Sequence, residues 1–66
     1  MNALDSRFIA ALIKARTPVT LFLLNGVKLQ GIIIEEEGDA LILERENLRQ
    51  LVYKHALSTI MPMSSK

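Results

Sequence analysis

The sequence predicts a mostly β domain in which one N-terminal α-helix precedes five short, bent strands that form a small, strongly twisted barrel. Three observations carry this expectation. Apolar residues recur at helical spacing only as far as Arg16. Beyond Thr17-Pro18 they fall instead into short runs rich in strand formers. Those runs are punctuated by compact turn signals at Asn25-Gly26, Glu37-Gly38-Asp39 and Glu46-Asn47.

Asp5 and Ser6 are good N-caps for a helix over about Arg7 to Arg16, with Phe8, Ile9, Leu12 and Ile13 as its apolar stripe and Lys14 and Arg16 complementing the dipole in its last turn. Thr17-Pro18 ends it, because a residue before proline avoids the helical region. Val19 to Leu24 reads as a first strand, and Asn25-Gly26 is a strong two-residue hairpin signal. Lys28 to Glu36 returns as a second strand, in which Gly31 implies a sharp bend or a close backbone approach. Ala40 to Glu44 forms the third strand, Arg49 to Tyr53 the fourth and Leu57 to Met61 the fifth, with Lys54-His55-Ala56 as a tight connector. Residues 1–66 are expected to form a single domain, with 62–66 a short tail.

Size and composition limit the function classes. A chain of 66 residues buries only about 60% of its unfolded surface. It contains no cysteine, so disulfides and thiolate metal sites are excluded, and one His with scattered carboxylates gives no metal-ligand spacing. Oligomerisation remains as the means of stabilising so small a core. No apolar run approaches the roughly 20 residues of a membrane span, and the N-terminus lacks the basic stretch and apolar core of a signal peptide. A soluble cytoplasmic protein is expected. Eight basic against seven acidic residues is nearly neutral, so net charge adds little to a nucleic-acid reading and local placement must carry it. One His near Ser58 and Thr59 has no third group to orient the imidazole, and no Gly-rich phosphate cradle is present. Neither catalysis nor a cofactor is expected.

The stretch Val52-Tyr53-Lys54-His55-Ala56-Leu57-Ser58-Thr59-Ile60 holds the chain's only Tyr and only His on either side of a Lys. A flat ring, a flexible cation and an imidazole on a tight connector suit a nucleobase and its phosphate. The segment resembles the Tyr-Lys-His signature of the Hfq family of bacterial Sm-like RNA chaperones. Upstream, Val19-Thr20-Leu21-Phe22-Leu23-Leu24-Asn25-Gly26-Val27-Lys28-Leu29-Gln30-Gly31 resembles that family's first strand, turn and second strand. The two stretches occur in the family's order.

The resemblance implies an Sm-like fold whose helix caps an open five-stranded barrel, assembled by pairing the fourth strand of one subunit with the fifth of the next into a homohexameric ring. It implies single-stranded RNA as partner, with small RNAs and mRNAs paired on the ring. On the proximal, helix-bearing face, Lys54 and His55 would line a pore that holds uridine-rich ends, with Tyr53 supporting the barrel and the subunit contact. The family places a stacking aromatic after the second turn; alignment back from Tyr53 puts Ala40 there, next to Asp39. The same turn carries Glu35, Glu36 and Glu37, which would repel phosphates. Before the helix, Asp5 and Ser6 stand where the family commonly has an amide and an acidic residue.

On the distal face, Phe22 matches a stacking position, with Leu23, Val27 and Leu29 as apolar neighbours, Asn25 at the turn and Lys28 at its exit. Gln30 and Gln50 would read an adenine edge, assisted by Thr59. At the outer rim, Lys14 and Arg16 stand where relatives carry an Arg-rich patch. The competing expectation is a structural Sm-like toroid with reduced RNA affinity and mainly protein partners.

Overall fold

A computed structural model of the chain describes residues 3–63, with side-chain surroundings from residue 6 onward. Helix α1 (Ala3–Ala15) is followed by β1 (Pro18–Leu23), β2 (Lys28–Glu37), β3 (Ala40–Arg45), β4 (Leu48–Tyr53), a single 3-10 turn (Lys54–Ala56) and β5 (Leu57–Pro62). The strands form one antiparallel sheet in the order β4-β3-β2-β1-β5. The helix and five strands are those the sequence predicts, and their boundaries shift by small amounts with identifiable causes.

The helix begins at Ala3, so Asp5 and Ser6 lie in its first turn rather than capping it; Ala3 and Leu4 are strong helix formers and extend it backward. It stops at Ala15, one residue before Arg16. Arg16 adopts φ 52°, donates its N–H to the Ile13 carbonyl at 3.2 Å, and is followed by Thr17 donating to the Leu12 carbonyl at 3.1 Å. These paired bonds and the left-handed residue constitute a Schellman motif. Of the expected stripe, Ile9 and Leu12 are buried and Ile13 packs against the core, whereas Phe8 turns toward solvent. At the other end β5 runs through Pro62, and Met63 donates to the Pro18 carbonyl at 2.8 Å. The expected tail therefore starts inside a strand, and residues 64–66 lie outside the described part.

The first hairpin does not use the two-residue turn expected of Asn25-Gly26. Gly26 donates to the Leu23 carbonyl at 3.0 Å and takes φ 93°, and Leu23 donates to the Val27 carbonyl at 2.8 Å. This is a tight turn followed by a left-handed glycine, the longer hairpin class in which glycine occupies the bulge position. The two-residue turn with both central residues at positive φ occurs instead at Glu46 (53°) and Asn47 (69°).

The core comprises Ile9, Leu12, Val19, Leu21, Ile33, Leu41, Leu43 and Val52. Gly31 makes the close approach expected of it, since a Cβ there would lie 2.5 Å from the Glu44 carbonyl oxygen on β3. A second irregularity sets the site. Ile33 pairs with Leu43 and Glu35 with Ile42, so Ile34 is an extra residue in β2. A β-bulge of this kind reverses the inward and outward alternation beyond it. Glu36 therefore lies opposite the buried Leu41 and faces inward, whereas Glu35 and Glu37 face out.

Candidate nucleic-acid interface

Directly opposed residues of antiparallel strands share a face. Phe22 on β1 lies opposite Lys28 on β2 and Thr59 on β5, and Thr20 lies opposite Gln30. Phe22, Lys28, Gln30 and Thr59 therefore form one outward patch that combines a ring, a cation, an amide and a hydroxyl. Phe22 is half-buried and the other three are exposed.

The remaining distal candidates separate. Leu29 lies opposite the buried Leu21 and packs against the core, as does Leu23, so strand alternation removes both from the patch. Val27 is exposed in the loop, and the Asn25 side-chain oxygen accepts the Val27 N–H at 3.0 Å, which fixes the turn. Gln50 lies on β4, with β3 and β2 between it and β1, so within one chain it is not a neighbour of Gln30.

The Tyr53-Lys54-His55 segment is held from both sides. The Leu24 N–H donates to the Ala56 carbonyl at 2.8 Å, and the Lys54 N–H to the Asp39 carbonyl at 2.6 Å, so the connector is pinned between the first and second hairpin turns. The Lys54 side chain turns inward and pairs with Glu36, their side chains being 5% and 15% exposed. The cation expected at the pore is thus buried and already neutralised in this chain. His55 points the other way. Its side chain is 73% exposed, its Nδ1 meets Asp39 Oδ2, and its ring stacks on Tyr53 with centroids 5.4 Å apart and planes at 20°.

Ala40 lies opposite Tyr53 and lines a shallow outer hollow with Glu35, Glu37, Ile42 and Leu51. Asp39, not Ala40, is the turn residue that reaches His55. The sequence did not reveal the Glu36–Lys54 pair because the bulge at Ile34, which turns Glu36 inward, has no residue signal.

At the rim, Lys14 and Arg16 are exposed, and the fold brings Glu44 and Arg49, which no motif marks, to the side of Arg16. Arg16 approaches Glu44 Oε1 at 4.0 Å, and Arg49 Nε lies 3.5 Å from Glu44 Oε2, so one carboxylate at the end of β3 sits between the guanidinium just past α1 and that of β4. Both guanidiniums are largely exposed, and pairs of this kind contribute little to stability.

A helix followed by a bent five-stranded antiparallel sheet, with the Tyr-Lys-His connector between its last two strands, defines an Sm-like protein. Residues 4–66 match the family described as Hfq protein. The RNA-binding protein Hfq of Maricaulis maris is 51% identical over 59 residues, covering 89% of this chain and 66% of that one. Its counterpart from Cereibacter sphaeroides is 52% identical over 59 residues, covering 89% of this chain and 77% of its own length. Among solved structures, the crystal structure of the pleiotropic translational regulator Hfq superposes with a TM-score of 0.86 at 30% identity, covering 92% of each chain. An Hfq protein from Anabaena sp. shares the fold, with a TM-score of 0.84 at 19% identity over 94% of this chain and all of its own. The chain belongs to the Hfq family.

Proposed function

We propose that this chain is an RNA chaperone that binds single-stranded RNA without catalysis, as a closed homo-oligomeric ring, and promotes pairing of small RNAs with mRNAs in post-transcriptional regulation in the cytoplasm. The observation that carries the RNA reading is the row of Phe22, Lys28 and Thr59 across β2, β1 and β5, flanked by Gln30. A ring face for stacking, an ammonium for phosphate and an amide for a base edge lie on one side of the sheet, as an adenine-rich strand requires. The relatives bearing the name RNA-binding protein Hfq support the same reading.

The ring reading rests on the sheet order, which leaves β4 and β5 as its two edges. Exposed Leu48, Leu51 and Tyr53 lie on one and Met61 on the other. Bare edges are aggregation-prone, and edge-to-edge pairing around a closed hexamer would satisfy all of them. It would also bring Gln50 of one subunit toward the Phe22 patch of the next.

One observation favours the competing reading of a toroid with protein partners. Glu36 occupies Lys54 and Asp39 occupies His55, so the ammonium and the imidazole of the connector already face carboxylates. Titration with an adenine-rich oligonucleotide at fixed salt separates the two. The RNA reading expects saturable binding that Phe22→Ala weakens about tenfold, since one lost stacking contact is worth ~1–3 kcal/mol. Failure of the intact protein to bind supports the toroid.

A further inference from the structure

The second hairpin turn places a carboxylate beside an exposed aromatic pair, and that combination has its own base chemistry. Asp39 is fixed twice. Its carbonyl accepts the Lys54 N–H at 2.6 Å, and its Oδ2 meets His55 Nδ1, while no other hydrogen bond or ion pair of its side chain is found among the described residues. A carboxylate has about four lone-pair sites, so Oδ1 and the remaining lone pair of Oδ2 stay available for a ligand. The Asp39 side chain is 49% exposed and the stacked His55 ring 73% exposed, so both are open to a base arriving from solution.

We propose that Asp39 is a base-specificity residue, selecting guanine over uracil for a nucleotide stacked on the outer face of His55. The inference rests on the RNA reading above and deepens it. Single-stranded RNA is read by stacking on an aromatic or imidazole ring together with hydrogen bonds to the base edge. Guanine presents N1–H and N2–H side by side on its Watson–Crick edge, two donors that a carboxylate accepts together. Uracil presents one N–H flanked by two carbonyl oxygens, which would face the carboxylate acceptor to acceptor. Adenine and cytosine each offer an amino donor next to a ring-nitrogen acceptor and fall between. Lys54 does not offset this selection, because its ammonium is buried against Glu36.

The test compares three unstructured probes of equal length at one salt concentration: alternating guanosine–uridine, uridine alone, and adenine-rich. The alternating sequence avoids guanosine quadruplexes. The wild-type chain should bind the guanosine-containing probe about tenfold more tightly than the uridine probe, in line with the discrimination one bidentate pair supplies. Asp39→Asn keeps the shape but turns one acceptor into a donor, so it should abolish that preference or reverse it in favour of uridine. Asp39→Ala should abolish it without reversal. Adenine-rich binding, which depends on Phe22 on another surface, should persist in both variants and reports that they fold.

A carboxylate that merely repels phosphate would give a different result. Asp39→Asn would then raise affinity for guanosine and uridine probes by the same factor, and that outcome overturns the proposal. Equal binding of the two probes by the wild-type chain overturns it as well, while leaving the RNA reading intact if the adenine-rich probe binds. If no probe binds, the RNA reading and this inference fall together.

Discussion

Glu36 and Lys54, eighteen residues apart in sequence, close an ion pair on the inner side of the barrel, where both side chains are largely withdrawn from solvent. Lys54 belongs to the connector expected to meet RNA, yet its charge is directed into the protein. Removing one partner of a buried pair leaves the other uncompensated. Lys54→Ala and Glu36→Ala should each destabilise the fold by about 3–5 kcal/mol in urea denaturation at a fixed protein concentration. The double variant Glu36→Leu/Lys54→Met should recover most of that loss. A Lys54→Ala chain with wild-type stability would show that the pair does not hold the connector.

Arg16 sits at φ 52° as the left-handed residue of the helix C-terminal motif. A non-glycine residue there costs roughly 1–2 kcal/mol, part of which glycine gives back through its freer unfolded chain. Its exposed contact with Glu44 at 4.0 Å offsets little of this. Arg16→Gly should raise stability by about 0.5–1 kcal/mol, measured as an increased denaturation midpoint with unchanged slope. A lowered midpoint would mean that the contact with Glu44 outweighs the strain.

Gly31→Ala should have the opposite sign. Its methyl would lie 2.5 Å from the Glu44 carbonyl oxygen, a backbone atom that can move only with β3. A loss of about 1–3 kcal/mol is expected, together with weaker contact between β2 and β3, visible as faster amide exchange along the pair. Unchanged exchange would place the close approach elsewhere.

Met61 is exposed on the outer strand β5, in register with Thr20 of β1. If β5 pairs with β4 of another subunit, Met61→Glu should lower the mass measured by light scattering at micromolar concentration while preserving the far-ultraviolet circular dichroism of a folded chain. A full-sized oligomer from this variant would count against β5 as an assembly edge, and a monomeric wild-type chain would remove the ring altogether.

The parts of the fold legible in the sequence are those governed by local periodicity. Ile9 and Leu12 announced the helix face, the apolar runs after Pro18 announced the strands, and Gly31 announced a backbone contact that does occur. What stayed hidden depends on register. Whether Leu23 and Leu29 face outward with Phe22 or inward with Leu21 follows from strand pairing, and pairing placed both against the core. The positions of Glu35, Glu36 and Glu37 depend on the single unpaired residue Ile34, whose side chain is an ordinary strand former. The Asn25-Gly26 expectation failed for a related reason. The same two residues serve several hairpin lengths, and the bonds from Leu23 and Gly26 select the longer one.

The bulge at Ile34 lets this hairpin absorb a change of length. Exchanging one apolar residue for another there leaves the outward and inward sets unchanged. Deleting Ile34 would leave Ile33 opposite Leu43 and Glu35 opposite Ile42 in a regular ladder, so Glu35 and Glu37 would stay outward and Glu36 would stay opposite Leu41, beside Lys54. Closing the ladder with Ile34 retained, by pairing it with Ile42, would instead carry Glu35 and Glu37 to the inner side and Glu36 to the outer, and Lys54 would lose its present partner. Relatives one residue shorter at the bulge therefore keep the same charge placement, and the residue to skip in aligning them is Ile34. A gap set after the bulge would pair carboxylates that point in opposite directions.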